Sequence, residues 1–472
     1  MEKSLDQFLL EKVAITDTAE NGNGVGRVDN MVVFVEGGVP GDVVDVHVYK
    51  TKKKFKEARV VRIIEPSADR IEPVCKHFGT CGGCRWQHLS YEKQLFYKQR
   101  QVEEVLKRIG NIENPVINPI LGCSSPYFYR NKLDFSCSNK RWLTKVELDS
   151  GVPMKDDVIG FHVPGRFDKI LNIDRCHLQD DLSNNIRNEI KRFSIENGFR
   201  FFDVVEQEGF LRDIIFRSTS TGEWMLIVVF KDDLQNEREL LLNHLKITFP
   251  EITALLYIIN PKRNATIFDL PVNVFNGRDH IFEEMEGLKF KISAKSFYQT
   301  NSKQAFALYK IARSMAALTG NELVYDLYTG TGTIANFIAR NAKKVIGIDN
   351  VPDAIEDAKE NSRANGISNT DFFAGDLNKT LTDEFITLHG RPNVIITDPP
   401  RSGMHPEAVM KMAEYLPSRI VYISCNPSTQ ARDIALLNEK YEVSTIQPVD
   451  MFPQTTHVEN VILLNCKDEM GK

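Results

Sequence analysis

The stretch DLYTGTGTI, residues 326–334, decides how the C-terminal part of this chain folds. An apolar run, Leu323 to Leu327, leads into it and a helix-forming run leaves it, so its glycines sit at a strand-to-helix turn. Gly330 and Gly332 let the backbone turn tightly and approach a ligand. Working outward, Lys344 to Asp349, Asp371 to Ala374, Val394 to Thr397 and Arg419 to Ser424 read as further strands separated by helical spacings. A helical run from Ala305 to about Leu318 precedes them. Strands alternating with helices predict a parallel sheet covered on both faces. Tyr441 to Gln447 and Val458 to Asn465 leave no room for a full helix between them, which predicts an antiparallel end.

The same turn predicts a nucleotide-like ligand. Asp349 ends the next strand, where an acid can accept ribose hydroxyls. The dinucleotide spacing lacks its third glycine and there is no Walker lysine, so a nucleotide without a pyrophosphate fits better than NAD. S-adenosylmethionine is such a ligand, and its positive charges suit Asp326 and its acidic neighbours. Asp398-Pro-Pro follows the fourth strand as a rigid turn, because each proline fixes its own φ and restricts the residue before it.

YISCNPSTQARD, residues 422–433, places Cys425 at the end of the fifth strand, on the same sheet edge as the glycine turn. A thiol near a helix start is expected to have its pKa lowered toward a usable thiolate. A nucleophilic sulfur needs a base to complete a substitution at carbon. Glu459, in THVENV at the start of the last strand, is the candidate, with a pKa raised as it enters an apolar strand.

The N-terminal part differs. Up to Ser67 it alternates as short strands, NMVVFVE and DVVDVHVY, split by Gly/Pro turns, which predicts a small barrel. Lys50 to Arg62 then carries seven basic residues against Glu57 alone, a plausible phosphate-contacting surface, although the net charge of −5 argues weakly against nucleic acid. Between about Pro73 and Phe290 the pattern is mixed, with helical runs at Tyr91 to Ile109 and Asp181 to Asn197 and a strand at Glu223 to Phe230. With 472 residues, two or three domains are expected. There is no apolar run long enough to span a membrane, and the start, MEKSLDQFLLEK, lacks a leader pattern, so a reducing cytoplasm is the expected compartment. In that setting Cys75, Cys81 and Cys84 read as metal ligands rather than a disulfide framework, with Cys176 as a distant fourth. Four thiolates suit zinc or an iron–sulfur cluster, and spacing does not choose between them. Cys123, Cys137 and Cys466 read as ordinary cysteines.

Taken together, GNGVGR at 22–27, VFVEGGVPGD, the cysteine cluster, SFYQTN, DLYTGTGTI, DPPRSGMH, SCNPSTQARD and HVEN resemble the uracil-5 RNA methyltransferases of the RumA/TrmA type, most closely those of 23S ribosomal RNA. The resemblance runs nearly end to end. It implies a multidomain protein: an RNA-binding TRAM barrel of OB-like shape over residues 1–67, a central α+β domain with the four cysteines over 68–300, and a Rossmann-like class I methyltransferase domain over 301–472. It implies that Cys425 attacks C6 of the uracil and Glu459 removes the C5 proton. Gln299, Tyr328, Gly330, Asp349 and Asp398 would hold S-adenosylmethionine, with Asp376 near its adenine. Cys75, Cys81, Cys84 and Cys176 would bind a [4Fe–4S] cluster, which the ribosomal-RNA members carry and the transfer-RNA branch generally lacks. The expected partner is 23S ribosomal RNA, free or partly assembled, met by a monomer away from any membrane. The alternatives are a transfer-RNA uracil-5 methyltransferase, a 5-methylcytosine enzyme and, in another class, an RNA-binding scaffold without catalysis. Two positions depart from the family pattern: Thr329 stands where Cys is common, and Asp349 where Glu is common.

Overall fold

The computed structural model describes residues 8–113, 115–151 and 157–467. The first seven residues of the stretch read for a leader lie outside them. Among the described residues no helix is long and apolar enough to cross a membrane.

Five strands close the N-terminal barrel in the order β1 (Leu9–Thr18), β2 (Gly24–Val28), β3 (Met31–Glu36), β5 (Phe55–Glu65) and β4 (Val43–Thr51). Alternation places Val13, Ile15, Val33, Val35, Val44 and Val46 inside, each at most 2% exposed. The expected small barrel is therefore present, and the basic run supplies β5 and its approach.

The middle of the chain forms a seven-stranded mixed sheet, whose topology the sequence did not disclose. Its strands are β6 (Lys132–Ser138), β7 (Val158–His162), β8 (Ile170–Asn172), β9 (Leu211–Ser218), β10 (Trp224–Phe230), β11 (Ile252–Ile259) and β12 (Asn273–Gly277), in the order β12-β11-β10-β9-β6-β7-β8. Strand β10 is buried throughout, which explains its unbroken apolar sequence. A hairpin of β13 (His280–Met285) and β14 (Leu288–Ser293) follows, and its Ile281, Phe290 and Ile292 join the C-terminal core.

The C-terminal sheet comprises β15 (Leu323–Leu327), β16 (Lys344–Asp349), β17 (Thr370–Ala374), β18 (Val394–Thr397), β19 (Arg419–Ser424), β20 (Tyr441–Val449) and β21 (Glu459–Cys466). Its order is β17-β16-β15-β18-β19-β21-β20. The first five run parallel, and β21 is antiparallel to both neighbours, as expected. The central strands are apolar on both faces, so successive residues enter different cores: Val324 joins one, Tyr325 and Leu327 the other. The order reverses between β15 and β18, so a crevice opens at their carboxyl ends.

One element crosses the sequence divisions. Helix Tyr91–Arg108 lays Val102 and Leu106 into the C-terminal core. It also buries Lys98 against Asp450 at 2.6 Å, both side chains wholly inaccessible, with a second bond from Lys98 to the Phe452 carbonyl. Burial pulls the Lys98 pKa down, and Asp450 opposes that. Removing one partner of such a pair strands the other charge, at a cost of roughly 3–5 kcal/mol. Asp450→Ala is therefore expected to lower the urea midpoint markedly. Replacing both residues, Lys98→Met with Asp450→Leu, should recover most of the loss.

Candidate active site

The crevice at the carboxyl edge opens into a cavity of about 1850 Å³. Gln299, Tyr328, Gly330, Asp349, Asp398, Cys425 and Glu459 all line it. Asp376 does not: it caps helix Leu377–Thr380 by accepting the Asn378 N–H at 2.8 Å, although it lies close enough to Tyr328 to raise that phenol's pKa.

The glycine turn is built as the sequence requires. Tyr328 (φ 62°), Gly330 (φ 54°) and Gly332 (φ 71°) all adopt left-handed backbone. A Cβ at Gly332 would meet Ala358 at 2.8 Å and Phe372 at 3.0 Å, so the turn packs against the neighbouring helix and strand. At Gly330 the space is open. Tyr328 holds its conformation without glycine's freedom, the kind of local strain that collects at binding sites. Asp349 fixes the turn: one oxygen accepts the Gly330 N–H at 2.9 Å, the other the Val351 N–H at 2.9 Å. Beneath, Asp326 accepts the Thr329 hydroxyl at 2.5 Å and the Ala335 N–H at 3.1 Å. Its other oxygen is buried without a partner, and burial pushes its pKa up to about 7.

Strand register brings the Cys425 thiol and an acid together. Ser424 of β19 pairs with Asn460 of β21, so Cys425, one residue past the end of β19, adjoins Glu459, the first residue of β21. Glu459 is 3% exposed, and its pKa rises well above the ordinary carboxylate value through burial and the nearby Asp398. Burial lifts Asp398 to about 6. The expectation of an acidified thiol is corrected here. Burial first, then Glu459 and Asp398, push Cys425 up to about 12. The start of helix Pro427–Leu437 does not offset loss of water and two carboxyls on the other side.

Three cavity residues were not singled out in the sequence. Arg401, within DPPRSGMHP, is the cation that lowers the pKa of both Cys425 and Glu459, and its guanidinium donates to His457 Nδ1 at 3.0 Å. His457 is held neutral, its pKa pushed down to about 4 by burial and by Arg401. Tyr309, buried on helix Ser302–Ala316, hydrogen-bonds Gln299 and faces Asp398, Asp326 and Glu459. Arg401 and His457 lie inside the motifs DPPRSGMH and HVEN, and that membership was their signal; Tyr309 had none.

The residues fit a cationic, nucleotide-bearing cofactor. The turn offers close backbone approach, and Asp349, Asp353, Asp357 and Asp398 make the cavity wall acidic.

The four cluster cysteines come together from distant positions. Cys84 lies near enough to Cys81, Cys75 and Cys176 for each, when ionised, to raise its pKa, and the two cysteines of the CGGC turn rise to about 11 (Cys81) and about 12 (Cys84), chiefly through burial. A Cβ at Gly82 (φ 73°) would lie 2.4 Å from Pro164, so the turn is wedged in place. Among the described residues, no three His, Cys, Asp or Glu side chains converge on a single-ion site. Cys123, Cys137 and Cys466 are buried.

The profile of the tRNA (uracil-5-)-methyltransferase family matches residues 207–467, and that of the TRAM domain residues 11–61. The chain belongs to the uracil-5 RNA methyltransferase family. An uncharacterized RNA methyltransferase of Bacteroides thetaiotaomicron is 56% identical over 453 residues, covering 95% of this chain and all of that one. One from Porphyromonas gingivalis is 53% identical, covering 95% and 98%. Among solved structures, the Pyrococcus abyssi tRNA (uracil-54, C5)-methyltransferase, in complex with S-adenosyl-L-homocysteine, superposes with a TM-score of 0.73 at 26% identity, covering 96% of this chain and 100% of that one. The protein is thus an S-adenosylmethionine-dependent RNA methyltransferase with an N-terminal TRAM barrel.

The raised thiol pKa has a measurable consequence. At neutral pH, alkylation of Cys425 in the free protein should run roughly a thousandfold slower than for a thiol at the ordinary 9.0, and should rise about tenfold per pH unit across the alkaline range. Peptide mapping after iodoacetamide pulses checks this. Arg401→Ala, by removing the cation, should slow the reaction further.

Proposed function

We propose that this enzyme methylates carbon 5 of a uridine in 23S ribosomal RNA through a covalent bond between Cys425 and C6. The observation that carries the reading is the register that sets Cys425 beside Glu459 in the cavity at the glycine turn. Carbon 5 of uracil is too weak a nucleophile to take a methyl group unaided. Attack of the Cys425 sulfur on C6 moves the ring's electron pair toward O4 and makes C5 electron-rich. When bound, S-adenosylmethionine supplies an electrophilic methyl group; Gln299, Tyr328, Gly330, Asp349 and Asp398 would hold it, with Asp376 beside the turn. Glu459 then takes the C5 proton, the C–H electron pair restores the C5–C6 double bond, and the C6–S bond breaks to return the sulfur to Cys425. Both side chains must ionise first, and Arg401 is the cation that favours both. His457, neutral and tethered to Arg401, keeps that guanidinium aimed at them.

The ribosomal-RNA assignment rests on the four-cysteine set joined to the TRAM barrel. In this reading Cys75, Cys81, Cys84 and Cys176 hold a [4Fe–4S] cluster that positions RNA. Four soft thiolates close to one another suit zinc or an iron–sulfur cluster, and the resemblance to the ribosomal-RNA members is what favours the cluster. A transfer-RNA substrate is the second reading, favoured by the Pyrococcus neighbour.

Trapping with 5-fluorouridine RNA tests the chemistry, because fluorine at C5 cannot leave as a proton and the adduct persists. The intact enzyme should form a denaturation-resistant complex and Cys425→Ala none. Glu459→Gln should accumulate adduct even on ordinary RNA, with turnover falling at least a hundredfold; an adduct surviving Cys425→Ala overturns the assignment. Methylation of 23S and transfer-RNA transcripts side by side decides the substrate. Iron and sulfide analysis of anaerobically purified protein should find about four of each per chain, and colourless zinc protein would overturn the cluster.

A further inference from the structure

A second cavity, of about 430 Å³, lies where the barrel meets the cysteine loop. Val60 and Ile63 of β5 form one wall, and Ile71, Phe78 and His88 the other. Phe78 and His88 lie ring to ring, centroids 5.0 Å apart. His88 is 4% exposed, and the Gly38 backbone is the one hydrogen-bonding group beside its ring among the described residues, so at least one ring nitrogen is left without a partner. A buried, unused nitrogen at a cavity wall is costly unless something pairs with it.

The charge at the wall selects among ligands. Arg70, the wall's one cation, is already taken: its guanidinium binds Asp42 through two nitrogens and donates to the Gly37 carbonyl at 2.7 Å. Burial and Arg70 push His88 down to about 4, leaving a neutral ring. A phosphate would find no free cation inside, and Glu72 on the wall would repel it. Along β5, which walls the cavity through Val60 and Ile63, Lys56 and Arg59 form no ion pair among the described residues, nor do Lys52, Lys53 and Lys54 on the approach to that strand. A flat, neutral, hydrogen-bonding ligand inside and a polyanion outside are the two parts of a nucleotide strand.

The two cavities share one loop. Gly82, Gly83 and Arg85 line the larger cavity and Phe78 the smaller, and the four residues from Phe78 to Gly82 span at most about 14 Å. That gap is a few nucleotides of single strand.

We propose that this second cavity receives an unpaired base of the substrate RNA, a few nucleotides from the target uridine, held between Phe78 and the barrel wall with His88 pairing to its edge. The proposal rests on RNA being the substrate, not on the chemistry at Cys425. An oligouridylate containing 4-thiouridine, irradiated with the full-length protein, should cross-link to Phe78 or His88 as well as around the large cavity. Ile71→Trp fills the pocket from its exposed rim. It should abolish that cross-link and weaken oligouridylate binding at least fivefold, while S-adenosylmethionine binding is unchanged. Cross-links confined to the large cavity, no cross-links at all, or pocket cross-links indifferent to Ile71→Trp overturn the proposal. Trapping by 5-fluorouridine RNA reports on Cys425 separately, so either reading can fail alone.

Discussion

The site depends on the register of β21. This strand enters antiparallel between β19 and β20, and its pairing of Asn460 with Ser424 is what brings an acid to a thiol from 34 residues away in sequence. A slip of one residue would turn Glu459 to the opposite face of the sheet. Buried polar bonds resist that slip. The Gln430 side chain donates to the Tyr422 and Asn460 carbonyls at 2.9 and 3.1 Å, and the Asn460 amide donates back to Gln430 Oε1 at 2.8 Å. One glutamine thus spans both strands. The Lys98–Asp450 pair anchors the loop between β20 and β21 from the other side, so a helix more than 300 residues upstream helps set where Glu459 begins.

The electrostatics of the cavity suit a cationic ligand. Glu459 and Asp398 are pushed toward their neutral forms and Cys425 toward the thiol. Arg401 opposes the shifts of Cys425 and Glu459, dividing its influence between thiol and acid. A positively charged ligand beside Asp398 shifts all three groups toward their ionised forms, because a nearby positive charge favours the anion whatever raised the pKa. In the proposed reaction, thiol and acid thereby become active together once a cationic ligand is bound. A thiol that stays protonated until then is also protected from oxidation and stray alkylation.

Much of this was legible in the sequence. The five parallel strands, the antiparallel end and the barrel follow from periodicity and turns, which are local. Gly330, Asp398 and Cys425 meet because all follow strands at one carboxyl edge, a consequence of topology that strand order alone predicts. Three things were not legible. The Cys425 pKa depends on the balance between a helix start and buried carboxyls, and only coordinates give that balance. Helix Tyr91–Arg108 has the amphipathic pattern of any surface helix, and nothing in that pattern says which core receives Val102 and Leu106. Asp376 was expected beside the adenine by resemblance, but its side chain is committed to a local cap, an option Asp always has.

The departures at 329 and 349 are related by geometry. Asp is one methylene shorter than Glu, so reaching a ligand from the end of β16 requires the turn to come to it. It does: both Asp349 oxygens are already bonded to backbone N–H groups of the turn and of the segment that follows. Each carboxylate oxygen offers about two lone pairs, so each retains one for a ligand hydroxyl. The turn is pinned from below as well, where the Thr329 hydroxyl donates to Asp326, a bond that the weaker S–H donor of a cysteine would make poorly. Thr329 and Asp349 thus hold the same three residues, 328 to 330, from opposite sides. A shorter acid is tolerable where the loop it serves is held rigidly against it, and the Thr329–Asp326 bond supplies that rigidity.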